Sequence, residues 1–76
     1  MVSHNIFLAT INDVKEFVGI ASRFDYEIDL VAGRYAVDAK SVIGLFSLDL
    51  SKPIRVVAHT DNEDDFFEKI EKFIVE

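Results

Sequence analysis

Apolar residues in this 76-residue chain recur at two different periods, and the order in which those periods alternate leaves few ways to bury them. Between residues 10 and 24, Val14, Phe17, Val18, Ala21 and Phe24 return every three or four positions, the stripe of an amphipathic helix. Thr10 and Asp13 open it at the spacing of a capping box. Gly19 falls inside it, at a cost of about 1 kcal/mol relative to alanine, and is expected to permit close packing. After Phe24 the period drops to two: Tyr26, Ile28 and Leu30 alternate with Glu27 and Asp29, describing a strand with one wet face. Ala32, Gly33 and Arg34 signal a turn, and residues 35–38 return with Tyr35 and Val37 on one face, completing a β-hairpin.

The rest of the chain divides in the same way. Residues 5–9 form a short apolar run and a first strand. Residues 40–48 are too hydrophobic for a loop, and Ser41 is a favoured N-cap, which predicts a helix of about two turns. Ser51, Lys52 and Pro53 break the chain before a strand at 54–58, in which Ile54, Val56 and Ala58 share a face. A last helix, capped by Asn62 or Asp61, buries Phe66, Phe67, Ile70, Phe73 and Ile74. Glu68, Lys69, Glu71 and Lys72 cover its wet side, with Glu68 and Lys72 spaced for a favourable pair. The order β-α-β-β-α-β-α predicts an α+β open-faced sandwich, a four-stranded antiparallel sheet with three helices on one face. A chain this short fills one core, so residues 1–76 are expected to form a single domain.

Composition narrows the function classes. Eight basic against 14 acidic residues give a net charge of −6, which argues against nucleic acid as a partner. The acidic run at Asp61, Glu63, Asp64 and Asp65 reads as the first turn of a helix, where carboxylates meet the macrodipole favourably. The absence of cysteine excludes a disulfide framework and thiolate metal sites and fits a reducing cytoplasm. No apolar run is long enough to span a bilayer, and the first residues do not resemble a signal peptide, so no membrane partner is expected. Two histidines, His4 and His59, stand near strand ends and face each other if their strands are neighbours; without nearby cysteine they make a weak metal signal, and no metal or cofactor is expected.

Two stretches carry a resemblance. Residues 21–30, from Ala21 and Ser22 through Leu30, look like the end of the first helix and the second strand of HPr, the small phosphocarrier of the sugar phosphotransferase system. Residues 40–48 resemble that family's regulatory serine segment almost position for position, and the spacing between the stretches matches without a gap. The resemblance implies the HPr-like sandwich over about residues 10–76. It also implies a departure at the active-site end. The family carries a Gly-aliphatic-His-Ala-Arg-Pro stretch, and counting back from Ala21 puts Thr10 at the phosphohistidine position, Asn12 at the arginine and Asp13 at the proline. The preceding connection is also several residues shorter, without its glycine. A phosphate there would be held by free helix N–H groups and a guanidinium. Asp13 instead sets a carboxylate near that place, and like charges repel.

What the resemblance leaves intact is the short helix. Ser41 matches the serine that a dedicated kinase phosphorylates in many Gram-positive HPr proteins, and is also a simple N-cap worth about 1 kcal/mol. Val42, Ile43 and Phe46 match the family's apolar partner-binding positions, while Leu45 and Leu48 are placed to enter the core. The resulting expectation is a non-enzymatic, cytoplasmic binding or regulatory module of bacterial type. Its partners would be proteins: phosphotransferase-system enzymes, HPr kinase or a transcription regulator. A phosphocarrier with another acceptor, and a domain serving only homo-oligomerisation through the same helix, are the competing readings. No Gly-rich phosphate loop, nucleophile beside a histidine, or enclosed carboxylate pair points to independent catalysis.

Overall fold

The computed structural model describes residues 2–75. Its elements run β1 (Val2–Ile6), α1 (Ile11–Ala21), β2 (Ile28–Ala32), β3 (Tyr35–Asp38), α2 (Val42–Phe46), β4 (Ile54–Ala58) and α3 (Asp64–Lys69), followed by a 3₁₀ turn at Glu71–Phe73. The strands form one antiparallel sheet in the order β1-β4-β2-β3, with the helices packed on one face. Alternation along each strand produces that single covered face. Ile6, Ile28, Leu30, Ile54, Val56 and Ala58 are buried, whereas Ser3, Asn5 and Arg55 lie on the open side. Val14, Phe17, Val18 and Ala21 of the helical stripe meet them, together with Ile20, and the rings of Phe17, Phe24, Phe66 and Phe73 pack at centroid distances of 5.4–6.1 Å. None of the described helices is long and apolar enough to cross a membrane.

Several boundaries differ from those expected. The first strand is Val2–Ile6 rather than residues 5–9, because its partner β4 begins only at Ile54, and Pro53 has no N–H with which to extend the ladder. Phe7 turns instead to the other end of the sequence: its N–H donates to the Phe73 carbonyl at 2.9 Å, and Val75 N–H donates to the Asn5 carbonyl at 3.0 Å. These bonds flank a bridge between Ile6 and Ile74, so the segment after the 3₁₀ turn lies along the free edge of β1. The second strand starts at Ile28 rather than Tyr26. The hairpin closes over Gly33 and Arg34 alone, with Ala32 opposite Tyr35, and Gly33 takes the φ of +60° that such a tight turn requires.

The last helix does not run to Ile74. Its N-cap is Glu63, without a side-chain bond, and neither Asp61 nor Asn62 caps it; Thr60 Oγ1 instead accepts from the Asn62 N–H at 3.2 Å. The helix ends at Lys69, and the 3₁₀ turn redirects the chain so that Ile74 reaches Ile6. With the helical spacing broken, Lys72 forms its ion pair with Glu16 of α1 and not with Glu68. Gly19 also departs from expectation: it is exposed, and nothing lies within 4 Å of where its Cβ would be, so it permits no close packing.

Candidate functional site

Two stretches expected to carry function lie at the start of α1 and on α2. At the first, Thr10 adopts extended backbone, and its Oγ1 accepts from the Asp13 N–H at 3.0 Å. The Asp13 carboxylate reaches back to accept from the Ala9 N–H, also at 3.0 Å. The hydroxyl caps one first-turn donor of the helix, while the carboxylate ties down the N–H of the residue before the cap. Thr10 is exposed. Neither histidine comes to this place. His4 lies mid-strand opposite Val56 and packs edge-on to Phe67, ring centroids 4.3 Å apart. His59 follows β4, and its Nε2 is 2.8 Å from Asp29 Oδ2. The strand alternation puts His4 on the helix-covered face and His59 on the open one, so the two histidines do not face each other. Among the described residues no group of three or more metal-ligating side chains is placed to hold an ion.

The second stretch is shorter than its expected two turns. α2 spans five residues, then tightens into i→i+3 bonds from Ser47 N–H to Gly44 and from Leu48 N–H to Leu45. Ser41 caps it, accepting from the Gly44 N–H at 3.1 Å, and is half-buried. The helix is sharply two-sided. Leu45 is fully buried and Leu48 nearly so, while Ile43 is 84% exposed, Phe46 47% and Val42 37%. Val42, Ile43 and Phe46 therefore reach the surface from the same short helix, Ile43 almost wholly and the other two in part.

Beyond these, the structure brings forward Ile11, 63% exposed at the first position of α1. An apolar groove separates it from α2, lined by Phe7, Leu8, Ile11, Val14, Phe46 and Leu50 among others. Helical periodicity hides this residue, because Ile11 stands three and seven positions before Val14 and Val18 and would be counted with the buried stripe.

A four-stranded open-faced sandwich, with a short two-sided helix beside the start of its first long helix, is the architecture of the small phosphocarrier proteins. Residues 12–76 match the family model described as the PTS HPr component phosphorylation site, and the chain belongs to the HPr family. Among solved structures it is similar to HPr-C-His from Thermoanaerobacter tengcongensis, at 26% identity and a TM-score of 0.74, over 93% of this chain and 85% of that one. It is similar in fold to the phosphocarrier protein HPr of Bacillus anthracis, at 19% identity and a TM-score of 0.73, over 97% and 96% of the two chains. It also shares the fold of Crh, the catabolite repression protein of Bacillus subtilis described as a domain-swapped dimer, at 22% identity and a TM-score of 0.67, over 93% and 88%. No curated protein matches the chain.

Proposed function

We propose that this HPr-family chain acts as a non-catalytic binding and regulatory module, docking protein partners through α2 and carrying no phosphate at Thr10. The observation that carries the reading is the division of α2, whose Leu45 and Leu48 anchor it to the core while Val42, Ile43 and Phe46 remain at the surface. The start of α1 supports it. Counting back from Ala21 on the family's pattern reads Thr10 at the phosphohistidine position, and its hydroxyl occupies the Asp13 N–H, one of the first-turn donors that would otherwise face an anion. A phosphothreonine ester also lacks the transfer potential of a phosphoramidate, so a relay through Thr10 would stall. Ser41 is the proposed regulatory phosphorylation site. A phosphate there adds about −1.5 to −2 charge beside Val42 and Ile43, enough to change which partners the surface accepts. The proposed partners are phosphotransferase-system enzymes, HPr kinase or a transcription regulator.

The test is intact mass after incubation with the phosphoenolpyruvate-dependent first enzyme of the phosphotransferase system, and separately with HPr kinase and ATP. The expected result is one acid-stable phosphate from the kinase alone, lost on Ser41→Ala. An acid-labile phosphate from the first enzyme would overturn the reading and restore a phosphocarrier. No phosphate from either would remove Ser41 from the proposal and leave docking through Val42, Ile43 and Phe46 to stand alone.

A further inference from the structure

We infer that the outer edge of β3 pairs with the same edge of a second copy of the chain, joining two sheets into one of eight strands. The two ends of the sheet are unlike. The outer edge of β1 is taken by the segment after the 3₁₀ turn, through the bridge between Ile6 and Ile74. Among the described residues β3 ends the sheet and pairs with β2 alone. Its free backbone groups follow from the hairpin's own bonds. Ala39 N–H donates to the Ile28 carbonyl at 2.9 Å, so these two are a hydrogen-bonded pair, and the pattern alternates back along the strand. Tyr35 and Val37 therefore turn their amides toward β2, while Ala36 and Asp38 turn theirs outward. The Asp38 carbonyl accepts from the Ser41 N–H at 3.0 Å, which leaves the Ala36 N–H and C=O and the Asp38 N–H facing out. An edge of this kind is a template for another strand.

Charge along the edge selects a second copy as the occupant. Two antiparallel copies related by a two-fold axis beside Ala36 exchange both Ala36 bonds; each then sets its Arg34 against the other's Asp38 and its Tyr35 against the other's Val37. Arg34 is exposed, and no ion pair among the described residues engages it. Asp38 stands opposite Asp29 in the sheet, and Glu27 lines the same cavity, so three carboxylates gather there against one cation, Lys40. The Lys40 ammonium is held at the Phe24 carbonyl, 2.6 Å away, and His59 lies against Asp29. Asp38 Oδ1 accepts only a backbone N–H, that of Lys40 at 2.9 Å. A guanidinium from the second copy supplies the charge that this cluster lacks. On the other face Tyr35, 71% exposed, gains the partly buried Val37 as a neighbour. Moving the axis one residue on, to Val37, would set Arg34 against Lys40, and moving it one residue back would leave Arg34 against Ala36. The axis is perpendicular to the sheet, so both copies keep their helices, α2 included, on the same side.

The experiment follows the whole chain by sedimentation equilibrium and amide NMR over a concentration series reaching about 1 mM. The expected result is a reversible dimer whose formation shifts the Ala36 amide most. Ala36→Pro removes an N–H that the protein's own sheet does not use, and is expected to abolish the dimer. Arg34→Glu and Asp38→Lys are each expected to weaken it about tenfold. An equimolar mixture of those two variants is expected to recover association as a heterodimer, because each reversed charge then meets its opposite. Thermal midpoints of dilute samples show which variants remain folded; should Ala36→Pro unfold, the mixing experiment decides alone. A chain that stays monomeric throughout the series would overturn the inference. So would a dimer indifferent to the charge reversals, a mixture that fails to recover association, or a dimer lost instead on Ile43→Ala, which would move the contact to α2.

Discussion

Gly19 occupies an exposed position in the last turn of α1, with open space where a Cβ would project. Gly19→Ala is expected to stabilise the protein by about 0.5–1 kcal/mol, because alanine loses less backbone entropy there and meets no neighbour. A denaturant titration would show this as a higher midpoint at unchanged slope. Tyr26 poses the opposite problem. Its hydroxyl is buried without a hydrogen-bond partner among the described residues, and its pKa is raised, first by burial and then by the nearby carboxylates of Asp65 and Glu63. Above the ordinary tyrosine range the unfolded chain releases that proton more readily than the folded one, so stability falls as pH rises through and beyond about 10. Tyr26→Phe is expected to raise stability at neutral pH by about 1 kcal/mol and to flatten the alkaline loss, as read from thermal midpoints at both pH values. Sequence periodicity placed Tyr26 correctly on the inward face but had no means of showing that its hydroxyl lacks a partner. That depends on what the α3 start brings nearby, as the exposure of Ile11 depends on how α2 sits.

Among the elements, α1 was the most legible, since its stripe and its cap both lie in local sequence. Thr10→Ala removes the acceptor for the Asp13 N–H and is expected to cost about 1 kcal/mol, with Thr10→Ser recovering most of it. Chemical denaturation of the three chains would check the order. α2 was legible for the same reason: Ser41 as cap and Leu45 and Leu48 as inward anchors follow from spacing within a few residues. The elements misread are those whose limits are set from far away. β1 begins and ends where β4 supplies partners, and α3 stops where Ile74 must reach Ile6. Propensity saw a continuous helical stripe from Phe66 to Ile74, but the tertiary requirement that closes the sheet edge overrode its last turn.

For the molecule as a whole, the order of periods was enough to define the sandwich, because four one-faced strands and three amphipathic helices have few ways to cover each other. Its stability concentrates in the aromatic cluster. Phe66 is fully buried and its ring packs against Phe17, Phe24 and Phe67, so Phe66→Ala is expected to cost about 3–5 kcal/mol. A chain of this size has a total of only about 4–11 kcal/mol, at 0.05–0.15 per residue, so loss of cooperative unfolding near physiological temperature is the expected readout. The pairing of Ile6 with both Ile54 and Ile74 also bears on how the protein folds. β1 finds its neighbours only in segments much later in the sequence, β4 and the stretch after the 3₁₀ turn. A chain without α3 and the residues after it lacks the Phe66 and Phe73 rings that pack on Phe17, and leaves β1 without the strap along its outer edge. Both edges of β1 thus close only through pairings between residues far apart in sequence, the kind of contact that slows folding relative to a helix-only chain of the same length.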